Sequence, residues 1–283
     1  MEYKKGFEIK PSEIQSDGTV LFTDGTDSVH ANQIACEAYG YKYNAELGIC
    51  KAYDYTSKIS IRSKENKTDI KGTNNTVERG VRDTLISGKD NIAKGENQNS
   101  FISGEKNEIE RGVSNAVAFG KMSKPTHKNE FTVGGGGFDS EAGLLQMSVI
   151  QLSRRVGSGE YHYLYIDGDA DVDNTDEILL PANSVVTYEI WLSALVTGGS
   201  SGTAGDYEAY VFLGVIRTAN DGTMTHNAKI DRLLGRTGSL GTQVIDTSTA
   251  YTLKLKVSGL ANVNIQYHAV AKLHINKTNV VEI

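Results

Sequence analysis

With 283 residues and a formal net charge of −6, the chain is too long for one small core and too acidic for a nucleic-acid binder, which would carry a basic stripe. Thirty glycines against three prolines, with 14 tyrosines, predict β structure rich in tight turns. The opening "MEYKKGFEIKPSEIQ" has no apolar h-region and no run approaches about 18 apolar residues, so neither a secretory signal nor membrane insertion is expected.

Residues 1–58 form the first region. It is aromatic-rich from Tyr39 to Tyr55, with turn text at "SDGTV" and "TDGTD" and short strands expected at Thr19 to Phe22 and after Asp27. Fifty-odd residues make a marginal independent fold, so this region is expected to be a segment that docks onto a larger body. Cys36 and Cys50 lie 14 apart. They fit either a local disulfide or two small buried hydrophobes, and the spacing matches no zinc pattern.

Residues 59–133 hold an internal repeat. "NTVERGVRDTLISGKD" (75–90), "NIAKGENQNSFISGEK" (91–106) and "NEIERGVSNAVAFGKM" (107–122) are three sixteen-residue blocks, and "IRSKEN" (61–66) aligns with "ISGKDN" as a degenerate first coil. The turn glycines expected from the repeat are Gly80, Gly88, Gly95, Gly104, Gly112 and Gly120, with a one-residue slip near Gly95. Leu85, Phe101 and Val117 share a column, as do Ile86, Ile102 and Ala118. Neighbouring strand residues point to opposite faces, so this half-repeat is apolar on both sides.

In the other half-repeat, Val77, Ile92 and Ile109 form one apolar column among Glu78, Arg79, Glu110 and Arg111. One face of each doubly apolar strand therefore belongs to the roll's own core. The other needs a partner, which copies of the same chain closing into a ring would supply. Asn at the head of each block suits a left-handed turn or a ladder of stacked amides. Pro125 and the four glycines at 134–137 read as a hinge at the end of the repeat.

Residues 134–283 alternate strongly. "YTLKLKVSG" sets Leu253, Leu255 and Val257 against Thr252, Lys254, Lys256 and Ser258, and "SVVTYEIWLSALVTG" and "YEAYVFLGVIRT" suit a sheet interior. The expectation is an antiparallel β-sandwich of roughly eight strands, jelly-roll-like.

No catalytic group, cofactor site or metal site is nominated. His268 and His274 share a strand face but stand about 20 Å apart, and His162 has no acidic partner in its strand. "DGDADVDNTDE" (167–177) departs twice from a calcium loop, with Val172 at the sixth position and Ile178 at the twelfth. The stripe Tyr161, Tyr163 and Tyr165 suits either a glycan-stacking platform or a core or subunit contact. The sequence predicts a protein that is not an enzyme.

"SNAVAFG", with Gly88, Gly104, Gly120, Asn107 and Asn115, resembles the head repeats of YadA-type trimeric autotransporter adhesins, which are parallel β-rolls that associate as homotrimers. The sixteen-residue period is longer than the usual coil of that family. Farther along, Ile166-Asp167-Gly168, Leu180-Pro181-Ala182-Asn183, Leu213-Gly214-Val215-Ile216 and Val257-Ser258-Gly259 are similar to a β-domain at the ends of phage tail proteins. The N-terminal text resembles the virion-anchoring start of phage appendage proteins.

The resemblance implies an all-β, homotrimeric virion fibre on head or tail: an N-terminal docking segment bound to other virion proteins, a short β-roll shaft and a β-sandwich head for attachment to host-surface glycan. It would be made in the host cytoplasm and would bind no nucleic acid. Two competing readings are a tailspike glycan depolymerase and a bacterial trimeric surface adhesin.

Overall fold

The computed structural model describes residues 9–15, 18–29, 32–45, 47–52, 68–138, 141–168 and 176–278. Among these it is all-β apart from one six-residue helix. The chain divides into two compact units, Met1–Ile59 and Ser60–Ile283. The degenerate coil at 61–66 and most of the acidic loop at 167–177 lie outside the described residues.

In the first unit, β1 (Lys10–Ile14), β2 (Val20–Thr23) and β3 (Ser28–Val29) form an antiparallel sheet. Helix α1 (Gln33–Ala38) starts at Asn32, whose side chain accepts from the Ala35 N–H at 2.8 Å, an ordinary N-cap. Strands β4 (Lys42–Asn44) and β5 (Ile49–Lys51) pair as a hairpin. Val20, Phe22, Cys36 and Cys50 form the buried core, and a disulfide joins the two cysteines. Of the two alternatives left open by the sequence, the disulfide is the one observed.

The second unit opens as a parallel β-solenoid. Its long strands are β6 (Asp69–Thr73), β8 (Leu85–Lys89), β10 (Phe101–Glu105) and β12 (Val117–Lys121), with β7 (Thr76–Val77), β9 (Ile92–Ala93) and β11 (Glu108–Ile109) as a second, shorter parallel sheet. Ile86, Ile102, Ile109 and Ala118 point inward and are fully buried. An amide ladder runs through the interior: the backbone N–H and Nδ2 of Asn91 both donate to Asn75 Oδ1 at 3.0 Å. Asn107 repeats this on Asn91 at 3.0 and 3.1 Å, and the ladder ends where Ser123 N donates to Asn107 Oδ1.

Gly88 has a φ of 121°, and a Cβ there would collide with the Gly104 carbonyl oxygen, so the column 72, 88, 104, 120 packs backbone on backbone.

Two expected positions are corrected. The inward column of the short strands is Val77, Ala93, Ile109, while Ile92 pairs with Thr76 and Glu108 one residue earlier. Correspondingly, Gly95 lies in the turn but not at its left-handed position. Glu96, at φ 65°, takes the left-handed position that Gly80 and Gly112 hold in the adjacent coils. From β6 to β12 the period is a constant sixteen with no slip at Gly95, and an acidic residue tolerates a conformation that the sequence alone assigns to glycine.

The solenoid leads without a break into antiparallel structure. Strand β13 (Phe131–Gly135) is parallel to β12 on one side and antiparallel to β14 (Leu145–Val156) on the other. The first two of the four glycines lie inside β13 as sheet residues, not at a hinge. After β15 (Tyr161–Tyr163) and β16 (Ile178–Leu179) come β17 (Ser184–Gly198), β18 (Tyr207–Thr218), β19 (Met224–Arg236), β20 (Gln243–Asp246), β21 (Thr252–Ser258) and β22 (Asn264–Lys277). One long sheet runs β19-β18-β17-β22-β14-β13-β12-β10-β8-β6, and β15, β16 and β20 gather around β21 as a smaller sheet.

The core between these two layers includes Ile150, Leu152, Ile190, Phe212, Leu253, Leu255, Val257 and Tyr267. His127 fastens the end of the solenoid to the smaller layer. Its Nε2 accepts from the Leu179 N–H at 2.8 Å while Nδ1 contacts buried Glu130 at 3.0 Å.

Candidate functional site

Two surfaces stand out. The first is the outer face of the long sheet. Directly paired strand residues point the same way, so the pairing defines one row: Leu85, Phe101, Val117, Phe131, Val149, Lys272, Glu189, Leu213 and Ile230. It crosses nine strands. Apart from Lys272 and Glu189, which oppose each other, it is apolar throughout. Phe131 is 42% exposed and Ile230 57%, and Phe119 and half-exposed Trp191 lie in flanking rows. The sequence grouped Leu85, Phe101 and Val117 in one column without assigning it to the outer face; the extension of that face over β14, β17, β18 and β19 was missed, because cross-strand neighbours are far apart in the chain.

The second surface is the outer face of the smaller sheet. "YHYLY" alternates, so Tyr161 and Tyr163 point outward while Leu164 is buried. In register, Tyr163 opposes Lys256, Lys256 opposes Val244, and Lys254 opposes Asp246, which places these side chains on one face. Each tyrosine carries a cation: Lys256 Nζ is 4.5 Å from the Tyr161 ring centroid, Lys254 Nζ 5.1 Å from Tyr163, and the Arg154 guanidinium 5.3 Å from Tyr165.

Two carboxylates complete the cluster. Glu177, nearly buried, lies 2.8 Å from Lys254 Nζ. Asp246 accepts from the Tyr163 hydroxyl at 2.9 Å and from Ser248 N at 2.9 Å. The Ser248 hydrogen bonds, helped by Tyr163, hold the Asp246 carboxyl below its ordinary pKa, and the same hydrogen bond to Asp246, with partial burial, raises that of Tyr163. An ionised carboxylate at Asp246 suits a base or nucleophile, not a proton donor. The sequence singled out the three tyrosines and the outward lysines, but Arg154, Glu177 and Asp246 come from other strands and carry no local signal.

No protein-family model matches the sequence, and no curated protein matches it. Three solved structures similar to the chain are phage tailspikes. That of Acinetobacter baumannii bacteriophage Fri1, a capsular polysaccharide depolymerase, has a TM-score of 0.24 and 6% identity over 67% of this chain and 39% of its own. That of A. baumannii phage AM24 has a TM-score of 0.23 and 5% identity over 76% and 51%. That of Acinetobacter phage vB_ApiP_P1 has a TM-score of 0.23 and 10% identity over 75% and 45%. The chain thus spans about two fifths to one half of the length of these tailspikes.

The expectation of a protein that is not an enzyme is corrected by this comparison, since one of the three similar proteins is a depolymerase. Likeness at these scores assigns no activity to this chain, and any cleavage has to be argued from its own carboxylates.

Proposed function

We propose that the chain is a subunit of a bacteriophage virion appendage that self-associates as a homotrimer and engages host-surface glycan. The observation that carries this reading is the apolar row across the long sheet. Soluble monomers rarely expose so extended an apolar face, and three copies around an axis cover it through one heterologous contact that closes. The YadA-type resemblance supports the solenoid as a trimeric shaft. The two antiparallel layers are read as the β-sandwich head and the disulfide-stapled unit as the virion-docking segment. Three heads on one particle give avidity to weak single sites.

The outward tyrosines of the smaller sheet are the proposed glycan platform, because aromatic faces suit the C–H faces of sugar rings. Antibody against the purified chain should decorate intact virions in electron micrographs, and absence of label from the particle contradicts the reading.

The second reading is glycan cleavage at the same face. It is favoured by Glu177 lying beside Lys254 and Asp246 beside Tyr163 on the same face, since glycoside hydrolysis uses a pair of carboxyl groups. Clearing of capsule by the wild-type protein, abolished in Asp246→Asn, would establish it. Equal clearing by both proteins would exclude Asp246 from the chemistry.

A further inference from the structure

The three cations over the tyrosines are not equivalent. Lys254 is neutralised by Glu177 at 2.8 Å, and Arg154 donates to the Tyr163 carbonyl. Lys256 has no ion-pair partner among the described residues. Its ammonium lies 4.5 Å over the Tyr161 ring, and Asp246, the carboxylate whose field it influences, already holds the Tyr163 hydroxyl and Ser248. Tyr161 is also the most exposed ring of the stripe, at 58%. One strand pair therefore presents to solvent an aromatic ring and an ammonium that is held in no direct ion pair. The chain's overall charge is −6, so the bulk field does not account for a positive spot here.

We propose that Tyr161 and Lys256 form a subsite for an anionic sugar residue, making the ligand a charged polysaccharide and not a neutral one. This rests on the glycan-binding reading of the face. The Lys256 ammonium, over one face of the Tyr161 ring, pairs with the sugar's carboxylate or sulfate in a charge-assisted hydrogen bond, the strong kind, and the exposed edge of the ring packs against the pyranose. Tyr163 and Tyr165 are less exposed than Tyr161 and contribute less contact. The subsite lies on the smaller sheet, apart from the apolar row of the long sheet, so trimer formation and ligand binding make separate demands.

The test is a glycan array carrying uronate-containing, sialylated, sulfated and neutral oligosaccharides, probed with the full-length wild-type protein and with Lys256→Gln, Lys256→Arg, Tyr161→Ala and Tyr161→Phe. Unchanged melting temperatures verify that each variant is folded. The expected result is binding confined to anionic glycans and weakened by salt. Lys256→Gln should weaken it on the order of tenfold or more, as loss of a charged hydrogen bond implies, while Lys256→Arg restores it. Tyr161→Ala should abolish binding and Tyr161→Phe should keep it.

Whether uronate or sulfate spots retain the protein identifies the anion. Binding to neutral glycans that is indifferent to Lys256→Gln overturns the anionic subsite while leaving the glycan reading intact. Binding that tolerates Tyr161→Ala overturns the subsite as drawn. Binding to no glycan overturns both.

Discussion

Asn91→Ala tests what holds the solenoid coils together. Asn91 is fully buried. Its Nδ2 donates to Asn75 Oδ1 at 3.0 Å and to the Gly104 carbonyl at 2.9 Å, and its Oδ1 accepts from the N–H and Nδ2 of Asn107 at 3.0 and 3.1 Å. Alanine removes all four. The Asn107 N–H, buried with its residue, then has no acceptor in a space too crowded for easy relaxation. At about 1 kcal/mol net for each of the other three hydrogen bonds, with about 1 to 3 kcal/mol for the orphaned buried donor, the cost is about 4 to 6 kcal/mol.

The control is Asn115→Ala, exposed and in a left-handed turn at φ 56°, where about 1 kcal/mol is expected. Urea unfolding followed by circular dichroism and by the fluorescence of Trp191, the only tryptophan, reads both. The two probes should coincide, because the solenoid and β17 belong to one sheet. A cost for Asn91→Ala no larger than that of the control would refute the ladder as the coupling element.

Ile102→Asp should prevent folding, since it buries an unpaired carboxylate, whereas Phe101→Asp should leave a folded chain that no longer self-associates; circular dichroism and gel filtration separate the two. Glu110 is partly buried, which works to raise its pKa, but hydrogen bonds and charge from Lys124 and Lys94 prevail and lower it from 4.5 to about 2. Its contribution is thus present above about pH 4.5 and lost as pH falls towards 2, so melting temperature should drop through that window, and Glu110→Gln should flatten the drop. The Cys36–Cys50 disulfide closes a loop worth about 3 kcal/mol in the entropy model, within a core of four buried residues; dithiothreitol should make the first unit, and not the second, sensitive to trypsin. Equal sensitivity with and without reductant would contradict that.

The repeat was legible because its signal is periodic along the chain. Gly88, Gly104 and Gly120 mark a backbone position that admits no Cβ, and Ile86, Ile102 and Ala118 mark an inward column. The slip near Gly95 was misread for the reverse reason: glycine is the commonest left-handed residue, so the pattern follows Gly95, yet Glu96 takes the turn and Ala93 replaces the larger side chain expected inside. Glu110 reads from the sequence as a plain polar position and lies instead between two lysines from neighbouring coils. The continuity of solenoid and antiparallel layers rests on β13 pairing with both β12 and β14, and four glycines in a row suggest a hinge to any local reading. The face with Arg154, Glu177, Asp246 and the lysines was only half visible, since its members are up to about a hundred positions apart and meet through strand register.

The mass of the assembled particle tests the central claim most directly. Light scattering coupled to gel filtration of the purified chain at micromolar concentration should give about three times 30.7 kDa, with Leu213→Asp and Phe131→Asp each shifting it to a single chain of unchanged secondary structure. A wild-type mass of one chain would contradict the account, because the apolar row across the long sheet would then face water.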